Sequence, residues 1–361
     1  MEFSPVITRI AVLACLAAAA GCANSSPGTA TATPSAAPAS TAPGAPVTPG
    51  QQALSLESLY EDVIHRVLPS IVQITTGNAL GSGIVFDDQG HVVTNAHVVG
   101  DARNFQVTVP TGGAAREATL VSSFPAGDLA VIKVTDPRGL TPAVFGDSTK
   151  LRVGQIVLAM GNPLGFSGTV TSGIVSALGR TVSGPREGGV PGATITNAVQ
   201  TSAPINPGNS GGALVDLHGQ VIGIPTLGAT NPQEGPADGI GFAIPSATAT
   251  DITRQIVQNG RVVNSRRAAL GVQVGTAIGR DGEPMGVQVG AVTRNGPSQQ
   301  AGIRTGDVII SVNGKATEDT ATLSEVLATL KPGQKVPVVV QRADGTQTTV
   351  QVTLGELPSG S

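Results

Sequence analysis

Pro207-Gly208-Asn209-Ser210-Gly211-Gly212 sets a serine among glycines. A nucleophilic serine needs an exposed hydroxyl and neighbouring N–H groups turned towards one point. Glycine permits the backbone angles and the close approach that such a loop requires. Gly208 and Ser210 are the expected oxyanion-hole donors, with Asn209 between them in the same loop. Taken alone, the segment reads equally well as a glycine-rich turn between strands. Two further residues change that balance. His97, in Thr94-Asn95-Ala96-His97-Val98-Val99, closes an apolar run and can act as a base. Asp128, in Asp128-Leu129-Ala130-Val131-Ile132, places an acid immediately ahead of an apolar run. Each has an ordinary explanation by itself: a core histidine, a polar residue at a strand start. Together, in the order His97, Asp128, Ser210, they supply base, orienter and nucleophile for acyl transfer.

Other chemistries find little support. His65, His91 and His218 lack a reactive neighbourhood and read as surface or turn residues, and Cys/His metal spacing is absent. Gly188-Gly189 lacks the lysine and the strand-to-helix context of a phosphate loop. A net charge of −3 gives no electrostatic footprint for nucleic acid. No metal or cofactor is called for.

The elements that must position these residues are mainly β. Tryptophan is absent and tyrosine occurs once, while valine-rich runs are cut by glycine. Strands are expected at residues 70–75, 83–86, 91–94, 104–109 and 129–134, and again at 155–159, 194–200, 212–215 and 221–224. Short strands with turn signals and no long helices between them indicate a barrel or sandwich. The spacing of Leu56, Leu59, Tyr60, Val63, Ile64 and Val67 predicts an amphipathic helix ahead of them, capped by Ser55 and stopped by Pro69. A second helix is expected over 246–259, closed by Gly260. A second folded unit starts near Ala268. It contains a short helix after Gly296-Pro297, a strand from Val308, an Asn313-Gly314 hairpin turn, a helix over 322–330, and strands 336–342 and 346–354 joined across Asp344-Gly345.

Ahead of all this, Arg9 and the apolar run 10–20 suit a signal peptide rather than a mature membrane span. The run ends in Ala19-Ala20-Gly21-Cys22, which is similar to a bacterial lipoprotein signal in which Cys22 becomes acylated. The alternative, an ordinary secretory signal cut near Ala23, leaves that cysteine unexplained. Cys15 would leave with the signal, so no internal disulfide can form. Residues 23–52 are almost entirely Ala, Ser, Thr, Pro and Gly and read as a disordered tether. The expected organisation is therefore a signal over 1–22, a linker over 23–52, a catalytic unit over 53–260 and a second unit over 268–355.

The chain resembles the HtrA/Deg family of trypsin-like serine proteases with a C-terminal PDZ domain, from about Leu56 to Leu354. The resemblance rests on Gly81-Ser82-Gly83, the His97 and Ser210 blocks, Asp128-Leu129-Ala130 and Gly161-Asn162-Pro163, with 169–176 and Gly239-Ile240-Gly241-Phe242-Ala243-Ile244-Pro245. It implies a trypsin-like pair of six-stranded β-barrels with the triad at their junction, followed by a small PDZ fold. It implies loops over 164–194 that switch the site between ordered and disordered states, and a substrate pocket lined by Ile240, Gly241 and Phe242, which suits a small or medium aliphatic residue. Leu270-Gly271-Val272 resembles the carboxylate-binding loop of PDZ domains.

Two departures stand out. Ser202 replaces the aspartate that many members carry. Asn209, as in the family, argues against activation by a newly cut N-terminus and leaves loop ordering as the control. The resemblance implies an endopeptidase of unfolded or C-terminally exposed envelope proteins. It further implies a homotrimer built through N-terminal residues such as Leu59 and Tyr60, and an extracytoplasmic place on the membrane through the Cys22 anchor. The rival reading is a catalytically idle chaperone or PDZ peptide-binding scaffold.

Overall fold

Runs such as Leu129-Ala130-Val131-Ile132 are apolar at every position because both faces of the strands are covered. In the computed structural model, which describes residues 49–77, 79–110, 112–162, 168–184, 192–206, 208–231, 235–279 and 282–357, these runs build two closed barrels. Helix α1 (Pro49–Val67) leads into β1 (Ile71–Thr76), β2 (Ala79–Val85) and β3 (His91–Thr94). The single-turn α2 (Ala96–Val99), β4 (Asn104–Thr108), β5 (Arg116–Phe124) and β6 (Leu129–Val134) complete the first half. Its strands close in the order β1-β2-β3-β6-β5-β4. The second barrel uses β7 (Ile156–Gly161), β8 (Thr169–Ser183), β9 (Thr194–Thr201), β10 (Ala213–Asp216), β11 (Val221–Asn231) and β12 (Gly235–Pro245), in the order β10-β11-β12-β9-β8-β7.

Strand alternation divides the apolar residues between three cores. Ala130 and Ile132 turn into the first barrel with Val72, Ile74 and Val92. Val157 and Ala159 turn into the second with Leu214 and Ile222. Their neighbours Leu129, Val131, Leu158 and Met160 turn the other way and meet in a core between the barrels. Val63 and Val67 of α1 and Ile252 and Ile256 of α3 (Ser246–Asn259) join that junction core. Burying each such side chain contributes about 1.5–3 kcal/mol, so the junction core adds to the stability of the pair of barrels.

After α3, capped by Gly260 at φ 70°, the chain forms a ribbon and a sheet. β13 (Ala268–Ala269) pairs with β20 (Gly355–Glu356). β14 (Val272–Ile278), β15 (Pro284–Val292), β16 (Val308–Val312), β18 (Lys335–Gln341) and β19 (Gln347–Thr353) form the sheet, and β17 (Lys315–Ala316) pairs with β16. Helices α4 (Pro297–Gln300) and α5 (Thr320–Ala328, capped by Asp319) accompany it. Asn313 at φ 51° and Gly314 at φ 75° make the hairpin turn expected of an Asn-Gly pair. Leu270, Val289, Ile309, Leu323 and Val340 share this unit's core.

Several expectations change. α1 begins at Pro49, not after Ser55, so 49–52 belong to the helix rather than to the tether. Proline fits a first helical turn, and Gln51-Gln52-Ala53-Leu54 contains no breaker. Much of 164–194, expected as loops, is the fifteen-residue strand β8. β5, with mixed burial and no clean alternation, was not among the expected strands. His91 is buried rather than superficial, its Nδ1 lying 2.6 Å from Asp87 Oδ2 within the β2–β3 turn. The apolar run 10–20, Cys22, the tether to residue 48, Pro163, Gly188-Gly189 and Pro207 lie outside the described residues.

Candidate active site

β3 delivers His97. The strand ends at Thr94, Asn95 stays extended, and Ala96–Val99 makes one helical turn that aims the imidazole at Asp128. Asp128 stands at the opposite entry, between a 3-10 turn over Pro125–Gly127 and β6. Its backbone is left-handed, φ 52° and ψ 44°, which costs a residue other than glycine about 1–2 kcal/mol. Hydrogen bonds over-determine that conformation. The Asp128 N–H donates to Pro125 O at 3.0 Å, and Asn95 Nδ2 donates to Asp128 O at 3.0 Å.

The carboxylate is buried and fully engaged. Oδ1 accepts the His97 backbone N–H at 3.0 Å, Oδ2 lies 2.9 Å from His97 Nδ1, and Thr226 Oγ1 donates to Oδ2. A carboxylate can only accept, so Nδ1 carries the proton and Nε2 is left as the basic nitrogen. Thr226 belongs to β11 of the second barrel, so this bond crosses the junction. Nothing in the linear sequence marked it. His97 remains accessible, with 42% of its side chain exposed against 4% for Asp128.

The serine loop docks onto the first barrel through Ser82. The Ser82 N–H donates to Ser210 O at 3.1 Å, and its Oγ donates to Gly208 O at 2.5 Å. Gly211, at φ 78°, lies against the Ser82 carbonyl and Thr94 Oγ1; a Cβ there would stand 2.2 Å and 2.4 Å from them. Thr94 lies three residues before His97, so the serine loop meets the end of the strand that leads to His97. Within the loop, Asn209 N donates to Asn206 O at 3.0 Å and Gly212 N to Asn209 O at 2.9 Å. Asn209 therefore spends its N–H on the turn, as befits a residue that stands between the expected oxyanion donors rather than among them. The N–H groups of Gly208 and Ser210 donate to no acceptor among the described residues.

Around the expected pocket, Ile240 is 39% exposed while Phe242 packs against the junction core. Gly241 lies directly under Ile205, whose Cγ1 would stand 2.4 Å from an added Cβ. Ile205, which also packs against the second barrel's core, thus stands beside the expected pocket, a neighbour that its isolated place in the sequence did not signal. Ser202 turns away: its Oγ accepts the Ile174 N–H at 3.0 Å, fastening β9 to β8. In the second unit, Gly271 has φ 70° and places the turn of Leu270-Gly271-Val272 at the head of β14. Just before it, the half-buried Arg267 donates through Nη1 to the Ala126 carbonyl, in the turn that ends at Asp128. Burial pushes its guanidinium down to about 10. Among the described residues no group of three or more His, Cys, Asp or Glu could hold a metal ion.

Comparison with known proteins agrees with this architecture. The trypsin-like peptidase domain family matches residues 81–224, and the PDZ domain family matches residues 262–354. Serine endoprotease DegS of Salmonella typhimurium is 36% identical over 319 residues, covering 84% of this chain and 87% of that protein. A probable periplasmic serine endoprotease, DegP-like, of Bartonella henselae is 36% identical over 328 residues, covering 88% of this chain but 62% of its own length. The chain thus spans less than two thirds of that longer relative. Among solved structures, the HtrA-type protease AlgW with decapeptide superposes with a TM-score of 0.55 at 32% identity, covering 83% of this chain and 99% of its own. With a trypsin-like double barrel, a PDZ fold and a DegS relative matched over most of both chains, this protein belongs to the HtrA family of serine endoproteases.

Proposed function

We propose that Ser210 attacks the scissile carbonyl of a protein substrate, His97 takes its proton through Nε2 and returns it to the leaving amine, and Asp128 holds the imidazole in that tautomer. The observation that carries this reading is the buried Asp128 carboxylate bonded to both the N–H and the Nδ1 of His97. The N–H groups of Gly208 and Ser210 serve as the oxyanion hole, whose donors typically contribute about 2.7–4 kcal/mol each to transition-state binding. Ile205, Ile240 and Phe242 give the pocket an apolar lining, suited to a small or medium apolar residue before the cleaved bond.

The Leu270-Gly271-Val272 turn receives a substrate C-terminus, whose strand adds beside β14. AlgW, with its bound decapeptide, is the relevant precedent for peptide binding by a similar chain. The periplasmic relatives and the apolar run ending at Cys22 support an extracytoplasmic place with an acyl anchor. Leu54 and Leu56 on α1 are exposed and available to a trimer contact, whereas Leu59 and Tyr60 are occupied by the junction core. The test is digestion of β-casein by the purified chain beside Ser210→Ala, with and without a peptide bearing an apolar C-terminus. Cleavage by wild type alone is expected; casein left intact by both proteins under either condition refutes the reading. Detergent-phase partition that survives Cys22→Ala would refute the anchor.

A further inference from the structure

Ser82 has no place in the triad, yet its side chain is fully buried and every polar group it carries is engaged. Its Oγ donates to Gly208 O at 2.5 Å and accepts the Asn162 N–H at 2.8 Å. Its N–H donates to Ser210 O at 3.1 Å, and its carbonyl accepts from Thr94 Oγ1 at 2.6 Å. One residue of the first barrel therefore grips the carbonyls on both sides of Asn209, the end of β7, and the strand leading to His97. The flanking positions are bare for steric reasons. A Cβ on Gly81 would stand 2.6 Å from Val98, and one on Gly83 would stand 2.5 Å from Val92.

We infer that Ser82 is a positioning residue for the oxyanion hole: its hydroxyl and N–H clamp the peptide units on either side of the Asn209–Ser210 bond and so aim the Ser210 N–H that receives the developing negative charge. Peptide units are planar, so fixing a carbonyl fixes the N–H across the same bond. The Gly208 carbonyl held by Ser82 Oγ shares its plane with the Asn209 N–H, which bonds Asn206 O. The Ser210 carbonyl held by Ser82 N shares its plane with the Gly211 N–H, which bonds Pro225 O at 3.2 Å. Between these two anchored planes lies the Asn209–Ser210 unit. Its carbonyl accepts from Gly212, which turns the Ser210 N–H the opposite way. Oxyanion donors act by being in place before charge develops, and a misaimed donor forfeits most of its effect. Without the hydroxyl, the Gly208 carbonyl and the Asn162 N–H must both find new partners, and the loop shifts to satisfy them.

This inference rests on the protease reading above, and the experiment separates the two. Ser246 provides a matched control. It is also fully buried, and its Oγ donates to Gly146 O at 2.7 Å and accepts the Ser148 N–H at 3.2 Å, remote from the serine loop. Full-length wild type, Ser82→Ala, Ser82→Cys and Ser246→Ala are compared in steady-state peptide cleavage, in phosphorylation of the serine by diisopropyl fluorophosphate with loss of fluoride, and in thermal melts. The phosphoryl oxygen of that reagent enters the same hole. Ser82→Ala is expected to lower kcat and the rate of phosphorylation by that reagent together, by about 10- to 100-fold, with KM within about twofold. Ser82→Cys, which keeps the shape but donates weakly, falls between Ser82→Ala and wild type. Ser246→Ala is expected to melt earlier while keeping kcat. Equal kcat losses in Ser82→Ala and Ser246→Ala would reduce Ser82 to a structural bond and overturn the inference. Wild-type rates in Ser82→Ala, or in Ser82→Cys should the alanine variant not fold, would overturn it as well. A wild-type chain that neither cleaves nor is phosphorylated by the reagent sinks the protease reading, and this inference with it.

Discussion

Thr226→Val isolates the bond by which the second barrel reaches into the His97–Asp128 couple. The side chains are close in shape and both favour strands, so β11 should tolerate the change. What disappears is one of three donors to the Asp128 carboxylate, the other two being the N–H and Nδ1 of His97. A hydrogen bond to a charged group contributes about 1.5–3 kcal/mol. That sets an upper limit, because the bond exists in the resting enzyme as well as in the transition state. The part that reaches kcat is the loss of carboxylate orientation, about 1–2 kcal/mol, or about 5- to 30-fold at 1.36 kcal/mol per tenfold. KM should move little, since Asp128 is buried and meets no substrate. The assay is steady-state hydrolysis of a chromogenic peptide by wild type, Thr226→Val, Asp128→Asn and the double variant. With the carboxylate gone, Thr226→Val should cost no more than about twofold, a coupling near 1 kcal/mol. A single variant with wild-type kcat, or strictly additive losses in the cycle, would refute the claim that Thr226 acts through Asp128.

Gly211→Ala forces a Cβ at φ 78° against the Ser82 carbonyl and Thr94 Oγ1, so the serine loop must lift off the first barrel. We expect kcat/KM to fall by about 100-fold or more, while Gly260→Ala, strained at φ 70° but in open space, melts earlier with activity intact; equal activity in the two variants contradicts the docking geometry. At Asp87, hydrogen bonds from the His91 N–H, His91 Nδ1 and Gln89 N–H outweigh the opposing push of burial and hold the carboxyl below its usual value. Its contribution to stability is therefore complete above about pH 4 and lost as pH falls through the lower folded value. Thermal melts should show Asp87→Asn below wild type at neutral pH, with the gap closing as the pH drops under about 4; a gap that stays constant or widens there would contradict the assignment.

How far the sequence discloses this molecule depends on whether the physics is local. β6 and α3 have the expected bounds because a continuous apolar run, a proline entry and a glycine cap are encoded by neighbours in the chain. The start of α1 went unread because Gln51-Gln52-Ala53 has helix propensity but no apolar periodicity. β8 was hidden by its glycines and serines and by exposure that follows no period of two. At the site, His97, Asp128 and Ser210 stand out because each sits in a short motif. Thr226 and the hydroxyl of Ser82 act across the junction, and Ile205 within the second barrel, on residues far away in the chain, 98 positions in the case of Thr226 and Asp128. No local pattern can mark such partners.

The motifs supply reactive groups, but the machine is the contact between barrels. His97 and Asp128 come from the first barrel, Ser210 from the second, and each side is finished by a residue of the other: Thr226 completes Asp128, and Ser82 completes the loop of Ser210. The same junction is packed by Leu129, Val131, Leu158 and Met160, whose immediate neighbours line the separate barrel interiors. A substitution such as Val131→Ala therefore acts on geometry at two places at once. Slackening the interface moves Thr226 from Asp128 and Ser82 from Gly208 in one displacement, while each barrel keeps its own core. Catalytic competence then depends on the barrels being closed against each other, a stricter condition than either barrel being folded.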